Sequence, residues 1–363
     1  MAEGSEEPEA AWLVALLTLP GMGPARLRQQ LAGRGPRAAW EEVAAGEGTG
    51  VAPELRRRWA VAARSVDVGG RWAAHEVAGV RVLLPGDDAW PTALVDDPEP
   101  PVALFSLGDP SVLRRPCVAV IGTRRCSAAG RSIAADLGAD LAAAGVCVVS
   151  GLALGIDGAA HRGALDAGGG PAAVVGSGLD VVYPGRHRQL WGEVAARGVV
   201  LSEYPLGATP ERWRFPARNR VIAGLASVVV VVESHAAGGS MHTVDAALER
   251  DRLVAVVPGP VRSPASAGTN GLLVSGATPV RDATDVLVAL GLRTLTPGGR
   301  AVPSAQPAGD AGAVLDAVGW GPSTLEEVAA RCEAPLGPVA VHLAALERDG
   351  WLTSGTGWYE RVR

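Results

Sequence analysis

A regular alternation of short apolar runs with helical stretches, beginning at Cys117, constrains the fold of this chain more than any other feature. Strands that are apolar along their whole length are buried on both faces, which is typical of a parallel sheet with helices on each side. The pattern therefore predicts a mostly parallel, doubly wound, Rossmann-like α/β domain. The predicted strands are Val118–Ile121, Val146–Val149, Ala172–Val175, Val199–Leu201, Val228–Val232 and Leu253–Val257.

The clearest helical interval lies between the first two of these strands. Ser127 is a suitable N-cap residue, and Ile133, Leu137 and Leu141 follow at a spacing of four residues. Gly145 then provides a helix stop. We expect one amphipathic helix to connect the two strands.

Different patterns flank this domain. In residues 1–85 an apolar helical run leads into the glycine-bearing turn Pro20–Pro24, and a second amphipathic run follows. This region is predicted to be a helical domain of the helix-hairpin-helix or SAM-like type, whose turn amides can face a DNA phosphate. A plain helical hairpin is the alternative. The Rossmann-like domain is predicted to cover residues 86–293, with Asp87–Pro101 as a surface connection.

The carboxy-terminal part is predicted to be a separate module. Residues 294–312 are rich in Pro, Gly and Ala, which is typical of a linker. Residues 313–363 are predicted to form a winged helix, in which Ser323 and Glu326 make a capping box. Its slightly negative charge favours protein contact or packing over DNA reading. The predicted helices are Ala313–Val318, Ser323–Cys332 and Leu336–Arg348.

Composition excludes several classes of protein. All 33 basic residues are arginine, which excludes a Schiff-base lysine and a Walker-type phosphate loop. The four cysteines form no C-x-x-C pair, so a disulfide framework is not expected. We expect a cytoplasmic location instead. The acidic amino terminus is not typical of a signal peptide, and no apolar run reaches the roughly 18 residues of a membrane span.

The arginines are unevenly distributed. The net charge is −5, yet seven arginines and only three acidic residues lie between Arg186 and Arg220. This concentration predicts a localised anion site rather than a basic coat.

The ends of the predicted strands carry glycines and polar residues. Ligands of open α/β sheets bind at the carboxyl ends of the strands, where glycines let backbone amides approach an anion. Arg124 follows the first strand and is placed to contact a phosphate in bidentate fashion. The same segment, GTRRCS, lacks the G-x-G-x-x-G of a dinucleotide site, and no G-x-S-x-G hydrolase elbow occurs. The sequence predicts a phosphate-binding edge without a metal or organic cofactor.

A second arginine-rich feature, RWRFPARNR, lies between the fourth and fifth strands. Guanidinium groups bind phosphates and aromatic rings stack on bases, and single-stranded nucleic acid needs both. Alternatively, the rings belong to the core and the arginines form a solvated face. The residues concerned are Arg212, Trp213, Arg214, Phe215, Arg218, Asn219 and Arg220.

Seven segments occur in this order along the chain: SGLALGID, GLDVVYP, FPARNRVIAGL, VVVES, GGSMHT, VPGP and GTNGLLVSGA. Together they resemble the DNA-processing protein A family, also called DprA or Smf, through most of Val118–Ala277. The resemblance implies a non-catalytic homodimer that binds and protects incoming single-stranded DNA during natural transformation. It also implies loading of the RecA recombinase onto DNA covered by single-strand-binding protein.

The resemblance further implies roles for individual residues. Arg218 and Arg220 would line the DNA path, and Asn219 would orient a loop. Where relatives often have lysine after the YP motif, only Arg186 and Arg188 are available here. The implied phosphate pocket comprises Gly122, Arg124, Ser150, Gly151 and Gly155, and the candidate DNA contacts also include Arg212, Arg214 and Phe215.

Two positions depart from the family pattern. Gly238 stands where serine is common, and Asp251 stands where glycine is common. Each departure concerns local detail of one loop.

The main alternative is an enzyme similar to the nucleoside-monophosphate phosphoribohydrolases, which have a similar fold and a PGGxGTxxE segment. GGSMHT partly resembles that segment, although Met241 and His242 replace its second Gly and its Thr. In that hypothesis the pocket holds a nucleotide phosphate, and Arg218 acts with a glutamate to cleave the glycosidic bond. Glu203 and Glu233, expected to end neighbouring strands, are candidates for paired acid–base work.

Other polar residues carry further alternatives. Asp157 and His161, four residues apart, could form an acid–base pair, or Asp157 could cap its helix beside a packed His161. His235, His242 and Asp245 could bind a metal, but the fourth ligand at compact spacing is missing. A sequence-specific regulator acting through the winged helix is a third class, which the acidic balance of that module disfavours.

Overall fold

The structure is a computed structural model that describes residues 7–292, 307–355 and 357–362. Most of the predicted linker, residues 294–306, lies outside the described residues. Residues 307–312 are described and contain the start of a helix. Among the described residues, no helix has the length and apolar character needed to cross a membrane.

The region before residue 80 is helical, as predicted, and its described part contains five helices. Three of them carry proline in the first turn, where the missing amide hydrogen costs no hydrogen bond. The buried Trp59 donates a hydrogen bond to the oxygen of Pro20 at 2.9 Å and so holds the turn between the first two helices. The helices are α1 (Glu9–Leu17), α2 (Pro24–Leu31), α3 (Pro36–Ala45), α4 (Pro53–Ala63) and α5 (Val68–Val77).

A nine-stranded sheet forms the centre of the described chain. Its strands are β1 (Arg81–Leu83), β2 (Leu104–Gly108), β3 (Cys117–Ile121), β4 (Cys147–Ser150), β5 (Ala172–Val175), β6 (Val199–Ser202), β7 (Val228–Val231), β8 (Leu253–Val256) and β9 (Thr278–Pro279). They lie in the order β1-β2-β6-β5-β4-β3-β7-β8-β9. The last seven strands of this order are parallel to one another, and β2 runs antiparallel to both of its neighbours. The mostly parallel, doubly wound sheet is therefore confirmed.

Helices cover both faces of the sheet because alternate residues of each strand point to opposite sides. Ala119 and Ile121 of β3 pack on one side with residues of the helix after β6, whereas Val118 and Val120 pack on the other side with Leu137. The helices of this domain are α6 (Ala128–Ala143), α7 (Ile156–Asp166), α8 (Arg188–Arg197), α9 (Arg214–Leu225), α10 (Met241–Leu248), α11 (Ala267–Val274) and α12 (Ala283–Ala289).

Helix α6 begins and ends as predicted. The Ser127 hydroxyl accepts a hydrogen bond from the amide of Gly130 at 2.9 Å, and Gly145 follows the helix with φ of +80°. The N-cap and the glycine stop thus set the limits of the helix that connects β3 and β4 in the first βαβ unit.

The helical region and the sheet share a hydrophobic core. Leu16 and Trp59 belong to the same buried cluster as Phe105 of β2 and Val200 of β6. The amide of Leu206, just after β6, also donates to Nε2 of the buried His75 on α5 at 3.1 Å. Strand β1 lies on the amino-terminal side of the predicted boundary at residue 85 and pairs with β2 in the sheet.

The carboxy-terminal module is a winged helix with its own core, which includes Leu315, Val328 and Leu343. The predicted capping box is wrong by one residue. Thr324 is the N-cap and pairs reciprocally with Glu327, because the Ser323 hydroxyl donates to the oxygen of Val318 instead. The elements are α13 (Asp310–Val318), α14 (Leu325–Cys332), α15 (Leu336–Arg348), β10 (Leu352–Gly355) and β11 (Trp358–Arg361).

Candidate nucleic-acid interface

The strand order reverses at β3, whose neighbours are β4 and β7, so the loops after these strands separate and leave a crevice. A pocket of about 50 Å³ lies beside this point, above the carboxyl ends of β3, β4 and β5. The first residues of α9 close its far side. Its lining includes Arg124, Gly151, Tyr183, Phe215 and Arg218.

Two of the predicted glycines let the loops approach one another closely. Gly155 has φ of +81°, and a Cβ added there would lie 2.4 Å from the oxygen of Thr123. A Cβ at Gly122 would lie 2.6 Å from the oxygen of Glu233. The loops after β3 and β4 are therefore in backbone contact, and larger residues at these positions would push them apart.

Ser150 and Gly151 hold the next part of the pocket from inside. The buried Ser150 hydroxyl donates to the oxygen of Val120 at 2.7 Å, which joins β4 to β3. The amide of Gly151 donates to Oδ2 of the buried Asp157 at 3.1 Å. These groups shape the pocket by bonding to protein atoms.

Arg218 forms the floor of the pocket rather than its rim. Its side chain is buried, and Nη1 donates to the oxygen of Gly151 at 2.9 Å and to the oxygen of Val174. Burial lowers the pKa of Arg218 to about 10, an effect that the nearby Asp157 opposes. Burial also raises the pKa of Asp157, against the lowering effect of Arg218. The two charges offset each other beneath the pocket.

Arg124 stands at the mouth of the pocket with its side chain exposed. Its guanidinium carbon lies 5.2 Å from the ring centre of Phe215, and the Phe215 ring lies 5.5 Å from that of Tyr183. A cation over a ring that itself packs on a second ring has a defined position. One cation and two aromatic faces therefore meet at the opening.

The other predicted arginines divide into two groups. Arg186, Arg188 and Arg212 are exposed around the pocket-bearing edge. Arg214 is half-buried, pairs with Glu211 at 2.7 Å and lies over the rings of Tyr204 and Trp213.

Arg220 belongs to an interior ion pair. It is buried, donates to Oε1 of Glu203 and to the oxygen of Glu99, and lies on the opposite side of α9 from the pocket. Asn219 accepts a hydrogen bond from Arg218 Nε and donates to the oxygen of Gly239 at 3.4 Å, so it links α9 to the loop before α10.

The carboxylates do not form the pair considered for acid–base catalysis. Glu203 and Glu233 do not end neighbouring strands, since β5, β4 and β3 separate β6 from β7. The Glu233 carboxylate accepts two hydrogen bonds from Ser127, whereas Glu203 pairs with Arg220. Burial raises the pKa of Glu203 to about 7 despite that partner.

Asp157 and His161 lie in the first turns of α7 and are both buried. Asp157 bonds to the amide of Gly151, in the loop before the helix, rather than to a helix amide. Neither ring nitrogen of His161 has a hydrogen-bond partner among the described residues, and burial lowers the pKa of His161 to about 3. Within the described ranges, no group of three or more His, Cys, Asp and Glu side chains is arranged to hold a metal ion.

Sequence reasoning did not single out Tyr183 as a site residue. It packs on Phe215 and is 41% exposed at the pocket mouth, next to a cis peptide bond with Pro184. The sequence did contain an indication of Tyr183, because this residue lies at the end of the GLDVVYP segment, just past the turn after β5.

Comparison with known proteins gives the family of this architecture. The family model described as DNA recombination-mediator protein A matches residues 81–291, and the DprA winged helix domain model matches residues 299–357. A putative DNA processing protein DprA of Mycobacterium tuberculosis is 42% identical over 226 residues, 59% of this chain and 58% of that protein. Protein Smf of Escherichia coli is 35% identical over 294 residues, 77% of each chain.

Two solved structures share the fold. The X-ray structure of DNA processing protein A from Streptococcus pneumoniae has a TM-score of 0.66 and 32% identity, and covers 77% of this chain and 97% of that one. DNA processing protein A from Helicobacter pylori, whose structure is described for its single-stranded DNA binding mode, has a TM-score of 0.53 and 31% identity. That match covers 58% of this chain and 95% of the other. This chain belongs to the DNA recombination-mediator protein A family, the DprA or Smf proteins.

Proposed function

We propose that this protein binds single-stranded DNA at the carboxyl edge of its sheet and acts as a recombination mediator without catalysing a reaction. The observation that carries the proposal is the position of Arg124, exposed at the pocket mouth and 5.2 Å from the ring of Phe215. Single-strand sites combine cations for the backbone with rings on which bases stack. The single-stranded DNA binding described for the Helicobacter pylori relative supports the same assignment.

The residues at this edge fall into two roles in the proposal. Arg124, Arg186, Arg188 and Arg212 are exposed and neutralise phosphates, while Phe215 offers its face to a base. The buried and half-buried members keep the edge in shape: Gly122, Ser150, Gly151, Gly155, Arg214, Arg218, Asn219 and Arg220.

The engagement of the acidic residues supports a non-catalytic role over a phosphoribohydrolase. That enzyme would need a glutamate free to act beside Arg218. Glu203 is bonded to Arg220 and Glu233 to Ser127, and Arg218 is bonded to backbone oxygens. A nucleoside monophosphate incubated with the protein is therefore expected to remain intact.

The partners proposed here are those that the family resemblance implies. We propose that the protein is a homodimer in the cytoplasm and loads RecA onto DNA coated by single-strand-binding protein. The proposal keeps the domain limits predicted from sequence: 1–85, 86–293, 294–312 and 313–363. The first two of these regions share a hydrophobic core, so they pack together rather than as independent units.

The experiment is a fluorescence-anisotropy titration of a labelled oligo-dT with duplex DNA as competitor. Tight, salt-sensitive binding that the duplex displaces weakly is the expected result, because a duplex cannot present unstacked bases to Phe215. RecA filament formation on coated single strands is then measured with and without the protein. No single-strand binding at low salt would overturn the proposal, and binding without RecA loading would overturn its mediator part alone.

A further inference from the structure

A groove of about 840 Å³ lies between the helical region and the sheet domain. One wall is the turn between α1 and α2, and the other is the loop between β6 and α9. This volume is within the range of about 300–1,000 Å³ found for small-molecule sites. It is larger than the Arg124 pocket and lies on the other side of the start of α9.

Trp213 offers a fixed ring in this groove. The side chain is 47% exposed, its Nε1 donates to Glu211 at 2.8 Å, and its ring meets Tyr204 edge-on at 5.9 Å. A Cβ added at Gly23 would lie 3.2 Å from the ring, so Trp213 also touches the turn of the helical region. An indole that is held by these contacts, with Arg214 over its ring, and that still exposes nearly half of its surface is suited to stacking on a base.

The groove also carries two cations without acidic partners. Glu99 pairs with Arg28 and Arg220, and Glu211 pairs with Arg214, so both acidic residues of the lining are neutralised. Arg26 and Arg71 are exposed and have no carboxylate within ion-pair distance in the described part of the chain. The groove therefore keeps a positive charge, although residues 1–108 have a net charge of −5.

Three consecutive residues connect the groove with the pocket. Trp213 and Arg214 line the groove, whereas Phe215 lines the pocket. The exposed Arg212 precedes them. A strand whose phosphate lies at Arg124 can therefore reach the groove over residues 212–215, where Glu211 is already paired with Arg214.

We propose that the groove binds a second segment of the same DNA single strand, with a base on Trp213 and phosphates at Arg26 and Arg71. The proposal rests on the proposed function and extends it to the helical region, which then takes part in DNA binding. It predicts that a short oligonucleotide fills only the pocket, and that a longer one also occupies the groove.

The test compares two lengths of oligo-dT, about five and about fifteen nucleotides, which lie near the two ends of the range of site sizes of single-strand modules, about 4–16 nucleotides. The double variant Arg26→Ala with Arg71→Ala is expected to bind the long strand about tenfold more weakly, with a salt slope smaller by about 1.4. Binding of the short strand stays unchanged. The matched control is Arg58→Ala with Arg64→Ala, two exposed arginines of the same region that do not line the groove.

A second variant and a photochemical measurement examine the ring. Trp213→Ala is expected to lower affinity for the long strand by about tenfold, with most of it restored in Trp213→Phe. An oligonucleotide carrying bromodeoxyuridine is expected to crosslink at Trp213, as mapped by mass spectrometry. Unfolding temperatures of the variants exclude loss of fold.

The outcomes separate this proposal from the proposed function. If Arg124→Ala weakens both strands while the groove variants bind like wild type, the groove proposal is wrong and the pocket assignment stands. An equal loss for both strand lengths in the groove variants also overturns it. If no variant at either site alters binding, the site assignment under the proposed function fails as well.

Discussion

The guanidinium of Arg218 donates to the backbone oxygen of Gly151 at 2.9 Å, and this bond ties α9 to the loop after β4 beneath the candidate DNA pocket. Arg218 is buried, as is Asp157, which bonds to the amide of the same Gly151. Gly151 thus accepts a hydrogen bond from Arg218 through its oxygen and donates one to Asp157 through its amide.

Arg218→Ala is expected to destabilise the fold, because it leaves Asp157 as an uncompensated buried charge and removes the hydrogen bonds that Arg218 donates to two backbone oxygens. The expected loss of unfolding free energy is about 3–5 kcal/mol. Arg188→Ala, an exposed arginine of the same edge, should change it by less than about 0.5 kcal/mol. Chemical denaturation measures both.

The double variant Asp157→Asn with Arg218→Ala gives a sharper version of this test. Its loss should be smaller than the two single losses added together, since the charges interact. Strict additivity would show that Asp157 and Arg218 do not compensate each other.

Glu203 is expected to make stability depend on pH. Its folded pKa is raised from 4.5 to about 7, so the folded state binds more protons than the unfolded state between these values. The contribution of Glu203 to the free energy of unfolding is fully present below the unfolded pKa and is lost as the pH rises through the folded pKa. The loss amounts to as much as about 3 kcal/mol. Glu203→Gln keeps an acceptor for Arg220 and cannot titrate. Unfolding free energies from pH 4.5 to pH 8 should therefore fall more in wild type than in this variant, and parallel curves would contradict the assignment.

His75 is expected to have the opposite dependence. It links α5 to the loop after β6, since its Nδ1 lies 2.8 Å from the oxygen of Arg71 and its Nε2 accepts from Leu206. Burial lowers the pKa of His75, so its contribution is present above the unfolded pKa of about 6.5 and is lost as the pH falls through the folded value. Thermal unfolding at decreasing pH should therefore lower the melting temperature more in wild type than in His75→Gln. A larger drop in the variant would refute the link.

Asp251 is expected to be a site of mild strain. Its φ is +51°, in the left-handed region that favours glycine. Asp251→Gly should raise the unfolding free energy by up to about 1 kcal/mol, and Asp251→Asn should be close to neutral. Denaturant midpoints decide between this outcome and a loss of stability in the glycine variant.

The sequence predicted the strands at the centre of the sheet within one residue or so at each end. Val118–Ile121 and Ala172–Val175 were legible because both faces of a central parallel strand are buried. Strands β1 and β2 were not predicted, since β1 has only three residues with a mixed burial pattern and β2 lies before the regular alternation that begins at Cys117.

Sheet order explains why the predicted pairing of Glu203 with Glu233 was wrong. Glu203 and Glu233 follow consecutive predicted strands, and consecutive strands are usually neighbours. The crossover through α9 instead carries the chain to the far side of β3 and leaves three strands between them. Periodicity carries no information about such a crossover.

The candidate site was predictable in composition but not in orientation. Arg218 and Arg220 look alike in FPARNR, yet the structure directs one beneath the pocket and the other to Glu203. The groove was not predictable, because Arg26, Arg71 and Trp213 are far apart in the sequence and follow no shared motif.

The most direct test of the central claim is the salt dependence of oligo-dT binding by wild type, Arg124→Ala and Arg115→Ala. Arg115 is exposed just before β3, at the opposite edge of the sheet from Arg124, and serves as the matched control. Arg124→Ala should weaken binding and reduce the salt slope by about 0.7, the share of one phosphate contact on a single strand. Arg115→Ala should behave like wild type. Equal affinities and slopes for wild type and Arg124→Ala would contradict the placement of DNA at this edge of the sheet.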